Sequence, residues 1–141
     1  MNLDDTLQKQ FIVNHWYFSG WADHDIPKKE DDLIAFNVLM GNLTEYVLNN
    51  YNKYRKEILI HCNDGRGVSG TFLSILAESI MLHSETKRKA ASIFNTVTWI
   101  RQYRKGLVET IEQYEFIFRY VELFKNNRKL SFRDITPQQL V

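Results

Sequence analysis

The sequence has few of the features that would place it outside the cell or in a membrane. Its 141 residues include one cysteine, so an internal disulfide is excluded and a reducing, intracellular setting is the simpler interpretation. No apolar run approaches the roughly 20 residues that span a bilayer, and the N-terminus lacks a signal-peptide pattern. A net charge of +1 argues against nucleic acid or an anionic membrane as an obligatory partner. We therefore expect a cytoplasmic protein with no membrane span and no nucleic-acid partner.

The sequence also lacks internal repeats and low-complexity segments. Its length allows one domain, and 44% apolar with 25% charged residues is an ordinary globular composition. Residues 1–10 and 127–141 are polar, and we expect both ends to be loosely ordered. The organised part of the chain should therefore lie between them.

The pattern of apolar residues predicts both strands and helices. Residues 11–18 and 58–60 are rich in β-branched and aromatic side chains, which is typical of strands. Apolar residues three and four apart predict four helices. These run from Asp31 or Asp32 to about Asn50, from about Thr71 to His83, from Ser84 or Thr86 to about Arg104, and from Thr110 to Asn126. The alternation favours an α/β fold.

A glycine-rich stretch connects the short strand at residues 58–60 to the second helix. It consists of His61, Cys62, Asn63, Asp64, Gly65, Arg66, Gly67, Val68 and Ser69. A strand, a glycine-rich loop and a helix in that order direct backbone N–H groups towards one point, where phosphate binds well. Cys62 lies at the mouth of this loop, where a thiolate would be stabilised and nucleophilic. The alternative is a glycine-rich turn with an incidental buried cysteine.

This stretch resembles the signature loop of the protein tyrosine phosphatases, which reads His-Cys, five residues, Arg, then Ser or Thr and Gly. His61, Cys62 and Ser69 are in register with it. The arginine is not, because Val68 occupies its position and Arg66 stands two residues earlier. The resemblance assigns Cys62 as the nucleophile position and residues 61–69 as the phosphate-binding loop.

Residues 21–27 resemble the mobile acid loop of the same family, Trp-Pro-Asp-His-Gly-Val-Pro. Asp23 stands where the family has the general acid that protonates the leaving tyrosine oxygen. Ala22 replaces the proline and Asp25 replaces a glycine, so the stiffness and closure of the loop are altered. Without the resemblance, Asp23 is a turn-forming residue.

Residues 104–114 resemble the glutamine loop of the family. Val108, Thr110, Gln113 and Tyr114 fit its pattern, whereas Glu109 stands where a glutamine positions the hydrolytic water. Thr110 followed by Gln113 is also a helix-capping pattern, and the two interpretations are compatible.

The resemblance covers residues from about 11 to 125 and implies a truncated form of the family's domain. It predicts a tyrosine-phosphatase-like α/β fold in which helices flank a central sheet, with residues 1–141 as one partial domain corresponding to the C-terminal half. It implies a phosphotyrosine protein or peptide, or another signalling protein, as partner, with no cofactor and no metal. The oligomeric state stays open.

The departures from the family pattern argue against catalysis. Val68 offers no donor for the phosphoryl oxygens that the family's arginine clamps. We expect Asp64 and Glu109 to repel phosphate and to raise the pKa of Cys62, and Arg66 to pair with Asp64 or to face solvent. These features predict a pseudophosphatase. An active or weakly active phosphatase and a decayed, truncated product without independent function remain as alternatives.

The pattern of matches also resembles the tyrosine-phosphatase-like proteins of the bracoviruses, a group of polydnaviruses of parasitoid wasps. Several of those proteins lack catalytic residues. This second resemblance implies delivery to the cytoplasm of host cells and interference with immune signalling.

Overall fold

The computed structural model describes residues 12–50, 57–84, 91–127 and 130–140. In those residues the chain forms four α-helices and two short 3-10 turns. The helices are α1 (Glu30–Asn50), α2 (Gly67–His83), α3 (Ile93–Tyr103) and α4 (Ile111–Asn126), and the turns span Phe132–Asp134 and Pro137–Gln139. Among the described residues, no helix is long and apolar enough to cross a membrane.

The predicted central sheet is wrong for this structure. The described residues contain no β-strand: of the strands predicted at residues 11–18 and 58–60, residues 12–18 and 58–60 form no regular secondary structure, and residue 11 lies outside the described residues. Apolar and β-branched composition favours a strand only where a neighbouring strand completes the backbone hydrogen bonds. Neither segment has such a neighbour here, and Ile12 and Leu59 are 96% and 87% exposed. The α/β prediction is therefore replaced by a helical fold.

Helix α1 begins and ends close to the predicted positions. Its buried side chains include Leu33, Phe36 and Met40, which are three and four residues apart and form one face. Acidic residues fill its first turn, where they interact favourably with the positive end of the helix dipole. The prediction of this helix is confirmed.

Helix α2 lies at the centre of the molecule and packs against α1, α3 and α4. It is buried on several sides, which agrees with its nearly continuous apolar sequence. Its first residue, Gly67, directly follows the loop around Cys62. The packing of α2 therefore fixes the position of that loop.

Helix α4 is stabilised at its start by a reciprocal cap. The Thr110 side chain accepts a hydrogen bond from the backbone N–H of Gln113, and the Gln113 side chain accepts one from the backbone N–H of Thr110. This is the capping box that the sequence predicts. Helix α3 begins at Ile93, with a simpler cap from Ser92. Of its two predicted starts, Ser84 is wrong because it is extended and ends α2, and Thr86 lies outside the described residues.

The core between α1, α2 and α4 is largely aromatic. Phe36, at its centre, lies within 6.0 Å, between ring centroids, of five other rings. These belong to Phe18, Trp21, Phe72, Phe116 and Tyr120. Most of the pairs are tilted or edge-to-face, the arrangements that aromatic rings prefer.

The C-terminal segment also packs onto this core. Its polar composition predicts a loosely ordered end, yet Phe132, Ile135 and Leu140 are buried. Asn37 of α1 connects the segment to the core, because its Nδ2 donates to the Ile135 carbonyl at 2.9 Å while its Oδ1 accepts from the Tyr120 hydroxyl. The predicted loose end at residues 1–10 lies outside the described residues.

Candidate phosphate-binding site

The loop before α2 folds around the sulfur of Cys62. The backbone N–H of Gly65 donates to Cys62 Sγ at 3.2 Å. Gly65 has a φ of +69°, a conformation that residues with a side chain rarely adopt. No side-chain hydrogen bond caps the start of α2, and in its first turn the backbone N–H of Ser69 is directed at Cys62 Sγ. This is the geometry of an anion-binding site at a helix N-terminus.

The pKa of Cys62 is lowered from its ordinary value. Burial raises the pKa, but hydrogen bonds from the Ser69 hydroxyl and from the backbone N–H groups of Ser69, Gly65 and Arg66 outweigh that effect. Ser69 Oγ is buried and has no other hydrogen-bond partner, so its proton is available to the Cys62 thiolate. The loop therefore stabilises the nucleophilic form of the cysteine.

The expected rise in the pKa of Cys62 is consequently wrong in direction. The two carboxylates that were expected to cause it are both engaged by side-chain partners: Arg66 binds Asp64, and His24 binds Glu109. Pairing reduces the repulsion that each carboxylate exerts on the thiolate. The Cys62 thiol contacts Asp64 Oδ1 only at 3.8 Å, a long and weak hydrogen bond.

Arg66 is bound to its own loop. Its Nε lies 2.7 Å from Asp64 Oδ2, and its backbone N–H donates to Asp64 Oδ1 at 3.1 Å. This pairing confirms the sequence prediction and lowers the pKa of Asp64. Val68, half-buried in the first turn of α2, has neither a charge nor a donor on its side chain. In the described structure, the hydrogen bonds to Cys62 Sγ come from backbone N–H groups and a hydroxyl rather than from a cationic side chain.

The loop at residues 21–27 is anchored to the core at one point. Trp21 packs edge-on against Phe36 and Phe116, and its indole Nε1 donates to the Asp25 carbonyl at 2.6 Å. The same carbonyl accepts a hydrogen bond from Gln113 Nε2 at 3.2 Å. Asp23 lies between the two ends of this loop with its side chain exposed to solvent.

Asp25 stabilises the descending half of that loop. Its carboxylate accepts from the backbone N–H of Ile26 at 2.8 Å and pairs with Lys28 at 2.7 Å. The hydrogen bond from Lys28, followed by that from Ile26, lowers the pKa of Asp25. Asp25 therefore replaces a glycine of the family pattern with a residue that turns and fixes the loop.

His24 and Glu109 connect the two flanking loops across the mouth of the site. His24 Nδ1 lies 2.7 Å from Glu109 Oε2, and the hydrogen bond to Glu109, then the charge of Glu109, raises the pKa of His24. Asp23 and Asp64 raise it further, so both carboxylates act on the same imidazole. The sequence analysis missed this pair. Its only signal was that Glu109 places a charge where the family has a neutral amide, and a charge in such a position needs a partner.

Backbone strain is concentrated at this junction. His24 and Val108, with φ of 59° and 60°, are the non-glycine residues with positive φ among the described residues. Val108 is β-branched, for which this conformation is a genuine outlier. Arg101 holds the strained segment, because its Nε donates to the Leu107 carbonyl at 2.7 Å and its Nη2 to the Val108 carbonyl at 2.5 Å.

Gln113 joins the floor of the site to both flanking loops. Its side chain is fully buried, and its Oε1 accepts from the backbone N–H groups of Glu109 and Thr110 at 2.9 and 3.2 Å. Gly67 lies against it, since a Cβ on Gly67 would stand 3.0 Å from Gln113 and from Glu109 Oε2. The structure thus brings together the loop of Cys62, the segment of Glu109 and the loop of Asp23. Among the described residues, no three histidine, cysteine or acidic side chains are arranged to hold a metal ion.

The chain is similar to protein tyrosine phosphatases over most of its length. The protein-tyrosine phosphatase family profile matches residues 1–122. Receptor-type tyrosine-protein phosphatase V of Rattus norvegicus is 36% identical over 112 residues, which are 79% of this chain and 6% of that protein. Receptor-type tyrosine-protein phosphatase eta of Gallus gallus is 30% identical over 134 residues, 95% of this chain and 9% of that protein.

A non-receptor relative gives the same result. Tyrosine-protein phosphatase non-receptor type 20 of Mus musculus is 29% identical over 119 residues, which are 84% of this chain and 25% of that protein. The chain therefore spans a quarter or less of the length of these three relatives. No solved structure matches the chain.

Proposed function

This chain belongs to the protein tyrosine phosphatase family, and we propose that it binds phosphotyrosine in the loop around Cys62 without turning it over at a normal rate. The observation that carries the proposal is the pairing of Arg66 with Asp64, 2.7 Å apart, while Val68 occupies the position of the family's arginine. The loop thus keeps its backbone donors and has no guanidinium to clamp the transferring phosphoryl group.

The electrostatics of phosphoryl transfer support the loss of catalysis. Charge spreads over the equatorial oxygens in the transition state, and a bidentate arginine stabilises that charge more than a single donor can. Removing an arginine of this kind from a phosphoryl-transfer site slows the reaction by roughly a thousandfold or more. Glu109 adds a carboxylate at the position of the water-positioning amide, which further opposes an incoming phosphate.

The geometry of the loop supports retained binding. Backbone N–H groups at the start of α2 have no capping side chain, and those around Cys62 are aimed at its sulfur. A phosphate ester can accept from such donors without any cationic side chain, with the helix dipole adding to the attraction. The ligand we propose is a phosphotyrosine side chain of a signalling protein.

A weakly active phosphatase is the second candidate, and the lowered pKa of Cys62 favours it. A thiolate is already the attacking form, so Cys62 could displace the tyrosine oxygen while Asp23 supplies the proton to the leaving group. The bond to the cysteine sulfur would form as the phosphorus–oxygen bond of the ester breaks. Water would then release phosphate from the cysteine, in a step for which Glu109 replaces the family's glutamine.

Turnover of para-nitrophenyl phosphate separates the two candidates. For the proposed function we expect the wild type to be no faster than the Cys62→Ser control, and the double variant Val68→Arg, Glu109→Gln to gain activity. Wild-type turnover above that of Cys62→Ser would overturn the proposal in favour of the second candidate.

Binding is tested separately with a fluorescent phosphotyrosine peptide and its unphosphorylated twin. We expect the phosphorylated peptide alone to bind, to both the wild type and Cys62→Ser, and the bulky variant Gly67→Leu to lose it because the new side chain collides with Gln113 and Glu109. The absence of detectable binding at millimolar peptide would contradict the proposal.

The setting we propose follows the resemblance to the bracovirus proteins. There the domain would act in the cytoplasm of a host cell and shield phosphotyrosine proteins of immune signalling from their phosphatases. The altered residues Val68, Asp64 and Glu109 support such a role, because a trap holds its ligand longer when it does not hydrolyse it. In insect cells that express the chain, tyrosine phosphorylation should persist longer after stimulation than in cells that express Gly67→Leu.

A further inference from the structure

We infer that a basic rim beside the phosphate loop, formed by Arg66, Arg104 and Lys105, binds an acidic residue that flanks the phosphotyrosine of the ligand. The inference rests on the proposed function and goes beyond it, because it assigns a specificity to the ligand rather than a binding site for its phosphate. All three side chains are exposed.

Two loops interlock to form the rim. The side chain of Arg66 lies on Gly106, with its Cδ 3.2 Å from the position that a Cβ on Gly106 would occupy. In return, the guanidinium of Arg104 lies on Gly65, with atoms 3.6 to 3.8 Å from the corresponding position. Both glycines have positive φ, +69° and +85°, and neither position would easily accept a side chain. The rim is therefore a built feature whose two arginines are held by the backbone beneath them.

The rim carries an excess of positive charge. Three cationic side chains face two carboxylates: Asp64 engages Nε of Arg66, and Glu109, which acts on Arg66 through its charge, is already paired with His24. Arg104 uses its Nη2 for the Asp64 carbonyl at 2.8 Å. A guanidinium has five N–H donors, so most donors of both arginines remain for a ligand. A carboxylate on the ligand matches this arrangement, because planar guanidinium groups bind carboxylates in a bidentate manner.

The opposite side of the mouth carries acidic residues instead of basic ones. There Asp23 is exposed, and Glu109 is already paired with His24. A peptide that inserts its phosphotyrosine between the two sides would place one flank over the rim and the other near Asp23. Neighbouring residues of a peptide lie about 3.8 Å apart, so residues beside the phosphotyrosine reach either side. The asymmetry predicts that acidic residues help on one flank of the phosphotyrosine and not on the other.

A panel of three phosphotyrosine peptides tests the inference by fluorescence polarisation at low salt. The first has two glutamates before the phosphotyrosine, the second has them after it, and the third has alanines on both sides. We expect one of the two acidic peptides to bind roughly three- to tenfold tighter than the alanine peptide, the range expected for a few exposed ion pairs. The advantage should disappear at high salt, because exposed charges are screened.

Variants of the rim locate the effect. Lys105→Glu should remove the advantage of the acidic peptide, and Lys105→Ala should reduce it while leaving the affinity for the alanine peptide within about twofold. Arg133→Ala is the matched control, because Arg133 is exposed and contacts Asn42 rather than the phosphate loop. Lys105 is exposed and lies outside residues 61–69, so Lys105→Ala changes the charge of the rim without changing a residue of the phosphate loop.

The outcomes separate the inference from the proposed function. Equal binding of all three peptides, or an advantage that survives in Lys105→Glu, would overturn the rim while leaving phosphotyrosine binding intact. No binding of any peptide would overturn both. Tight binding of both acidic peptides without the phosphate would show a general charge effect and would also overturn the assignment.

Discussion

The floor and the mouth of the site differ in the kinds of groups that form them and in burial. The floor, formed by Cys62, Gly67, Ser69 and Gln113, consists of the cysteine sulfur, uncharged polar side chains and backbone donors, and most of it is buried against α2 and α4. The mouth consists of exposed charges that pair with one another. Departures from the family pattern occur at the mouth and in the first turn of α2, whereas the donors of the floor are intact. The proposed function therefore assigns anion binding and turnover to separable parts of one site.

The strongest way to break the floor is at Gly70 in α2. A Cβ there would lie 2.5 Å from the backbone nitrogen of Val108 and 2.9 Å from atoms of Leu107. Although alanine normally favours a helix interior, we expect Gly70→Ala to lower the free energy of unfolding by about 3 kcal/mol, since backbone cannot move aside as a side chain can. Chemical denaturation measures the change.

Gly41 provides the control for that experiment. A Cβ on Gly41, in α1, would meet the Phe132 Cβ at 3.4 Å, an ordinary contact. Gly41→Ala should leave stability unchanged or raise it slightly. Equal stability of the two variants would show that α2 does not press against residues 107 and 108 as described.

Loss of Gln113 should be the next largest effect. Gln113→Ala removes the acceptor for the N–H groups of Glu109 and Thr110 and the donor to the Asp25 carbonyl. We expect a loss of about 2 kcal/mol, because a helix cap is removed and buried backbone groups lose partners. Glu112→Ala, at the exposed start of the same helix, is the control and should lose less in thermal denaturation. A change near zero would mean that water replaces the amide and that the floor does not hold the flanking loops.

The next prediction concerns a group of the floor, the Ser69 hydroxyl, and its effect on the pKa of Cys62. Ser69→Ala removes the hydroxyl that favours the thiolate, so the pKa of Cys62 should rise and alkylation by iodoacetamide at neutral pH should slow severalfold. The pH dependence of the alkylation rate measures this. Ser74→Ala, which removes a buried hydroxyl bonded to the Gly70 carbonyl in the same helix, is the control and should leave the pKa in place. If both variants behave alike, the effect belongs to α2 as a whole.

The smallest effect concerns the mouth. Glu109 raises the pKa of His24, so Glu109→Gln should lower it, as followed by the ring proton shift of His24 in an NMR titration. The pair contributes stability that is fully present below the unfolded pKa of histidine and is lost as the pH rises through the raised folded pKa. Exposure keeps that contribution small. Glu112→Gln, at the exposed start of α4, is the control, and an equal shift in both variants would contradict a specific pair.

The helices were the most predictable part of the fold. The bounds of α1 and α4 follow from apolar spacing and from the Thr110 cap, which are local signals. The absence of the sheet among the described residues was not predictable. Residues 12–18 and 58–60 have strand composition, but strand formation depends on a partner strand elsewhere in the chain. Composition gives the strand propensity of a segment, and backbone hydrogen bonding to a neighbouring strand decides whether the strand forms.

The site divided in the same way. The loop around Cys62 and the pairing of Arg66 with Asp64 depend on residues close in sequence, and both were anticipated. Two features were not anticipated. One is the pairing of His24 with Glu109, 85 residues apart, and the other is the hydrogen bonds that Arg101 and Arg104 donate to backbone carbonyls. A carbonyl acceptor has no side-chain signature, so such contacts leave no trace in sequence.

The indole of Trp21 couples opening of the loop at residues 21–27 to the packing of the aromatic core. Its ring is held between Phe36 and Phe116, and its N–H holds the carbonyl of Asp25. The loop therefore cannot swing outwards as a free hinge, because opening must either break that hydrogen bond or withdraw the ring from its aromatic neighbours. We expect core mutations far from Cys62 to alter how often Asp23 approaches it, and Trp21 fluorescence to report that motion directly.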